Sequence, residues 1–272
     1  MSAEDEKSLI EIRKSIIEIG FHCGQSAHFG GGLSTVELLY ILYKEFLNTS
    51  PEKTYDPARD IFVLSKGHGV LGLYGVLHFF GFIPSDVLKS FQQNGSPLIA
   101  HPIRNLALGI ESSNGSLGQG LSYVAGMALA SRLKAEARSF FTLMGDGECN
   151  EGSVWEAAMF CAQYKLSNVV AIIDNNGFQN DDAVSVVSAQ TSVGERWAAF
   201  GWKVFHIDGH SLSEIRYAFE NAKAFSHGPS VIIANTTKGK GISFMEDDND
   251  WHHNRLTSKT YERAILELTD GN

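Results

Sequence analysis

Four short runs set the frame: "FFTLM" (140–144), "VVAIID" (169–174), "WKVFHID" (202–208) and "SVIIANT" (230–236). Each is β-branched or aromatic and ends on or next to Gly, Asp or Asn. Upstream, "IFVLS" (61–65) reads as a further buried strand. The segments between them mostly read as helices. Leu9, Ile12, Ile16 and Ile19 recur at helical spacing, with Gly20 near the end of that helix. "GVLGLYGVLHFFG" reads as an apolar helix, and "LGQGLSYVAGMALASRLKAEA" as a long helix of small residues that allow close packing. Such alternation predicts an α/β fold, a parallel sheet flanked by helices. In sheets of this kind ligands bind beyond the carboxyl ends of the strands. "GDG" (145–147) and "DNNG" (174–177) both fall there.

Length and charge narrow the function classes. At 272 residues and 43% hydrophobic, the chain supports a substantial core, read as one domain over 1–272. Its net charge is −9, with Lys and Arg scattered, which argues against nucleic acid. Cys23, Cys149 and Cys161 form no CxxC pair, so neither a disulfide framework nor a zinc knuckle is expected. The acidic opening "MSAEDEKSLI" does not resemble a signal peptide, and no apolar run approaches the ~18 residues of a membrane span. A cytoplasmic protein with no membrane partner is the expectation. Two capping boxes are predicted, Ser34 with Glu37 and Ser153 with Glu156.

Asp146 and Asn176 each follow a strand, with one helix between. A βαβ unit brings such strand ends together. A carboxylate and an amide oxygen then converge, hard ligands for Mg2+, with Ca2+ as a substitute. Gly145 and Gly147 let backbone approach a bound group, and the following helix N-terminus favours an anion. A diphosphate bridged by Mg2+ fits this set, although Gly, Asp and Asn also dominate ordinary turns.

"GDGECNEGSVWEAAMFCAQYKLSNVVAIIDNNGFQ" resembles the thiamine-diphosphate motif, and more narrowly the N-terminal part of transketolases. "SAHFGGGLSTVELLYILY", "LSKGHGVLGLY", "AHPIRNLALGIESSNGSLGQGLSYVAGMALA" and "TTKGKGISFMEDDNDWHH" resemble further family segments in the same order. The resemblance implies the thiamine-diphosphate-binding fold of the diphosphate (PP) type. It implies Mg2+ ligation by Asp146, Asn176 and the backbone carbonyl of Phe178. It places Gly145, Gly147 and Glu148 at the diphosphate, His68 and His252 on its oxygens, and Leu117 and Gly118 by the aminopyrimidine end. His28, His101 and His252 would serve as catalytic groups on sugar hydroxyls. Glu151 and Glu156 would join the cofactor's proton network at the interface with a partner. His78, His206, His210 and His227 read as structural. Trp155 and the "EAAMFCAQY" stripe read as core.

The match departs from the family at Ala27-His28-Phe29, where Gly-His-Pro is usual; Phe29 is expected to narrow the substrate entrance. Ser113 stands where Thr is common, and Asn254 follows a second histidine, His253, where the family often has Gly after one. The sequence ends near the point where a transketolase continues into pyrimidine-binding and C-terminal domains. The resemblance therefore implies one half of a split transketolase, paired with a separate C-terminal subunit in a heterotetramer, and acting on sugars or sugar phosphates. Alternatives are a deoxyxylulose-phosphate-synthase-like or 2-oxo acid decarboxylating subunit with pyruvate-type donors, and a non-catalytic regulatory subunit. A nicotinamide-binding fold is disfavoured because no GxGxxG follows an early strand.

Overall fold

In the computed structural model, residues 2–188 and 192–270 are described. All five expected strands form: β1 (Ile61–Leu64), β2 (Phe140–Gly145), β3 (Val169–Asn175), β4 (Lys203–Asp208) and β5 (Ser230–Asn235). They make one parallel sheet in the order β1-β2-β3-β5-β4. The helices are α1 (Ala3–His22), α2 (Gly30–Leu33), α3 (Val36–Ile41), α4 (Val70–Phe79), α5 (Ser85–Lys89), α6 (Gly120–Leu133), α7 (Gly152–Gln163), α8 (Val184–Val187), α9 (Val193–Ala199), α10 (Leu212–Ala224) and α11 (Ser258–Asp270). Among the described residues no helix is long and apolar enough to cross a membrane.

The strand period of two sends alternate side chains into two cores. Phe62, Leu64, Phe141, Leu143, Val170 and Ile172 face the core built with α1, α3, α4 and α10. Ile61, Val63, Phe140, Val169, Ala171 and Ile173 face the other, against α6, α7 and α9. Burial on both faces explains why these strands read as continuous apolar runs. β4 differs: at the sheet edge, its Lys203, His206 and Asp208 are exposed.

Neither capping box forms. α3 starts at Val36, and the Ser34 hydroxyl donates to Asp174 Oδ2 at 2.8 Å. Glu37 instead pairs with Arg13 at 2.6 Å and with His210 Nδ1 at 3.2 Å, far away in sequence. At α7 the N-cap is Glu151, and the Ser153 hydroxyl donates to the Gly118 carbonyl at 3.0 Å, while Glu156 is exposed. In both places a tertiary partner outcompetes the local motif.

Two further expectations change. Phe29 is fully buried; its ring packs against Gly20, where a Cβ would lie 2.3 Å from Phe29 Cε1, and edge-on to Trp251. It is a core residue and does not narrow an entrance. The α7 stripe divides: Ala157, Ala158 and Cys161 are buried, whereas Met159, Phe160 and Tyr164 lie on the surface. Cys23, Cys149 and Cys161 are all buried free thiols.

Candidate active site

The site lies where β2 and β3 end. Their register pairs Gly145 with Asp174, and the Asp146 N–H donates to the Asp174 carbonyl at 3.2 Å. Each strand then turns out of the sheet. The Asp146 carboxylate accepts from Gly147 N at 2.7 Å and from Gly177 N at 2.7 Å, so it clamps both turns together. Asn176 Oδ1 accepts from Phe178 N at 3.1 Å. Asp146 and Asn176 thus reach one cavity of about 220 Å³.

That cavity also gathers His68, Leu117, Gly145, Gly147, Glu148, Glu151, Phe178 and His252. Gly118 flanks it. At φ +79 it adopts a left-handed backbone, and a Cβ there would come 2.5 Å from Ser153 Oγ. Glu156 is not brought in; it sits on the exposed side of α7, outside the cavity lining.

Glu148 has a different place from the one the resemblance implies. Its carboxylate is buried and accepts from the Ser65 hydroxyl, from Gly118 N at 2.8 Å and from Gly145 N at 3.1 Å. It ties the ends of β1 and β2 to the loop before α6. Its oxygens are engaged by the protein's own donors, although the side chain borders the cavity.

Beside the cavity five imidazoles form a cluster. His28 is central, with ring centroids 5.8 Å from His68, 5.6 Å from His101, 5.5 Å from His252 and 4.4 Å from His253. His68 and His252 stack at 5.3 Å. Burial first, then the neighbouring imidazoles, pushes His28 down to about 3. Burial and the Lys238 ammonium push His252 down to about 4. Burial and Lys66 hold His68 well below its ordinary value, and burial also lowers His101. These four rings are therefore neutral near pH 7, each with one donor and one acceptor nitrogen.

Sequence reading missed three residues here. Lys66 and Asp174 form a fully buried ion pair beneath the site. Lys238 is 1% exposed, and its ammonium contacts Asn249 Oδ1 at 2.5 Å and His252 Nδ1 at 3.0 Å. Burial lowers it to about 8. With Nδ1 of His252 accepting from Lys238, its Nε2 carries the proton and can donate to an anion. The available signal was local: each residue sits inside a motif already singled out, "LSKGHG", "IIDNNG" or "TTKGKG". Lysine is rarely fully buried unless paired, but burial itself is invisible in one sequence.

These groups fit a cation-bridged diphosphate. Asp146 is 4% exposed, and burial, with Asp174 nearby, raises its carboxyl to about 6. A cation opposite it would offset that cost. Among the described residues no three His, Cys, Asp or Glu side chains form a metal cluster. The donor set is a carboxylate, an amide and a backbone carbonyl, which suits a hard cation that takes its remaining oxygens from a ligand. His68 and His252 line the same cavity and carry the N–H groups that anionic oxygens need.

Comparison with known proteins agrees. Residues 20–264 match the family model "Transketolase, thiamine diphosphate binding domain". The chain is 40% identical over 258 residues to one of the subunits of the apulose-4-phosphate transketolase of Phocaeicola vulgatus, covering 95% of this chain and 91% of that one. It is 40% identical over 241 residues to a 6-deoxy-6-sulfo-D-fructose transketolase subunit of Clostridium sp., covering 89% and 88%. The transketolase of Leishmania mexicana superimposes with a TM-score of 0.92 at 27% identity. That match covers 98% of this chain but 42% of the longer one, so the chain spans about two fifths of the solved transketolase. With the thiamine-diphosphate-binding fold, the strand-end cavity and these relatives in agreement, the chain belongs to the transketolase family, as a counterpart of its N-terminal, thiamine-diphosphate-binding part.

Proposed function

We propose that this chain is the diphosphate-binding subunit of a two-chain transketolase that moves a two-carbon ketol unit from a ketose to an aldose acceptor. The observation that carries this reading is the single cavity in which Asp146 and Asn176 meet His68 and His252, with His28 and His101 alongside. Thiamine diphosphate, when bound, supplies an electron sink for the carbon being transferred. Asp146, Asn176 and the Phe178 carbonyl would hold Mg2+. His68 and the Nε2–H of His252 would donate to diphosphate oxygens; the Gly147 N–H, implied for the same role by the resemblance, is taken by the Asp146 carboxylate, so Gly147 would serve by letting the backbone approach. Gly145 would leave room for the same group, and Leu117 and Gly118 would border the aminopyrimidine end. His28 and His101, neutral and clustered, would hold and move protons on substrate hydroxyls, with His252 beside them held to Lys238 and the diphosphate. Glu148 would act by fixing Gly118 and Gly145.

The single-domain reading of 1–272 belongs to the same proposal. The other wall of the site would come from a separate polypeptide carrying pyrimidine-binding and C-terminal domains, in a heterotetramer. Two features support a partner: the relatives named as transketolase subunits, and the exposed Met159 and Phe160 on α7 with Tyr164 just after it. Clustered exposed apolar residues mark interaction surfaces. Glu151, at the cavity rim, and Glu156, on the outer side of α7, would face that partner. Relatives named for apulose-4-phosphate and 6-deoxy-6-sulfo-D-fructose support a modified sugar as substrate. The test is reconstitution of both polypeptides, assayed with a ketose and with pyruvate as donor. Ketose turnover by the pair, with none from this chain alone, is expected. Turnover of pyruvate and of no ketose would replace this reading with a deoxyxylulose-phosphate-synthase-like one.

A further inference from the structure

Asn176 is a poor choice for a cation ligand in one respect. Its amide has an acceptor end and a donor end of nearly equal shape. Turned one way it offers a cation an oxygen; turned the other way it offers an NH2 group that repels it. Something must hold the turn.

The surroundings supply that constraint. Asn176 Nδ2 donates to Asp174 Oδ2 at 2.9 Å, and Oδ1 accepts from Phe178 N at 3.1 Å. A flipped amide would set its oxygen against the Asp174 carboxylate and its NH2 against the Phe178 N–H. Both hydrogen bonds would become repulsions, and the one with the charged partner weighs more. Asp174 is itself immobilised. It is 0% exposed, outside the cavity lining, and paired with Lys66. It also accepts from the hydroxyls of Ser34 and Thr236. These contacts join the α2–α3 junction and the ends of β1 and β5 to the end of β3. Lys66 donates onward to the Gly31 carbonyl at 3.0 Å.

We infer that Asp174, held by Lys66, is a positioning residue that fixes the amide of Asn176 with its oxygen available to the cation. This inference rests on the metal-site reading of Asp146 and Asn176. It assigns to Asp174 a role exerted through the orientation of a ligand, without contact to metal or substrate.

Paired substitutions separate orientation from general support. Replacing one member would strand a buried charge, so both are changed. Asp174→Asn with Lys66→Met keeps an acceptor for Asn176 Nδ2. Asp174→Leu with Lys66→Met removes it at similar size. Mn2+ binding to the full chain with saturating thiamine diphosphate is measured by electron paramagnetic resonance, with circular dichroism as the check on fold. The Asn-containing pair is expected to bind within about threefold of wild type, and the Leu-containing pair at least tenfold more weakly than it, the scale of one lost hydrogen bond. Asn176→Asp supplies the decisive background, because a carboxylate accepts at both ends and needs no orienting. There the two pairs should bind within about threefold of each other. A tenfold gap that persists with Asp at 176, or no gap with Asn at 176, overturns the inference. Should the Leu-containing pair fail to fold, the Asn-containing pair decides alone: a tenfold loss that Asn176→Asp does not remove counts against the inference, and retained affinity supports it. Absence of Mn2+ binding to the wild-type chain would instead remove the metal-site reading, and this inference with it.

Discussion

Replacing Glu148 tests whether a buried carboxylate can matter to a cofactor site without serving as a ligand. Oε1 accepts from Ser65 and from Gly118 N at 2.8 Å, and Oε2 accepts from Gly145 N at 3.1 Å, with the side chain 2% exposed. Glu148→Leu strands two buried backbone donors at about 1–3 kcal/mol each, so the expected loss of stability is about 2–6 kcal/mol. Glu148→Gln keeps one acceptor oxygen, which serves Ser65 and Gly118 while its NH2 meets the Gly145 N–H. One donor is then stranded, for a loss of about 1–3 kcal/mol. Urea unfolding of the full chain, followed by circular dichroism, gives both values. Thiamine diphosphate affinity should fall in the same order, because Gly118 and Gly145 lose their common anchor. Equal destabilisation by Leu and Gln, or losses under about 0.5 kcal/mol for both, would refute the reasoning.

Further outcomes follow from the charged core and the surface. Burial opposes ionisation of Glu37, but Arg13 and His210 overcome it and hold the carboxyl down at about 2, below its ordinary 4.5. A depressed acid stabilises the fold above the unfolded value and loses that contribution as pH falls through the folded one, so about 3 kcal/mol should disappear between pH 4.5 and 2. Glu37→Gln should flatten that acid limb and destabilise by about 3–5 kcal/mol at pH 7, by leaving Arg13 buried without its charge partner. The depressed imidazoles act in the same direction: His28 and His252 bind fewer protons folded than unfolded below pH 6.5, so they too cost stability as pH falls. Histidine NMR should show both rings neutral at about pH 5 in the free chain; a protonated signal from either would contradict the cluster's geometry. Phe160→Glu with Tyr164→Glu should leave the isolated chain within about 0.5 kcal/mol of wild type. The same pair should weaken assembly with the partner at least tenfold by sedimentation, and unchanged assembly would rule out the α7 face.

The fold was legible because its strands are buried on both faces and so announce themselves as apolar runs; even β4, at the edge, kept its pattern. The pairing of the GDG and DNNG turns followed from one helix joining neighbouring parallel strands. Partner choice among polar groups was not legible. Ser34 and Glu37 have capping-box spacing, yet each takes a partner over a hundred residues away, Asp174 for one and His210 for the other. Glu148 reads as a cofactor contact until its three donors are seen. Phe29 reads as an entrance residue because its neighbour is His28, but Gly20 leaves a slot into which its ring turns. Lys66 and Lys238 carry no periodic signal, and their importance lies in burial, a property of the packed chain. Motifs marked the strand-end cavity; tertiary hydrogen bonding set which partners its polar residues take.

The most direct test is calorimetric titration of thiamine diphosphate into the full chain, with and without Mg2+, for wild type and Asp146→Ala. The wild-type chain should bind only when the cation is present. Asp146→Ala should unfold as a cooperative, folded protein and show no cation-dependent binding. Wild-type affinity in Asp146→Ala, or binding by the wild type that ignores the cation, would contradict the account.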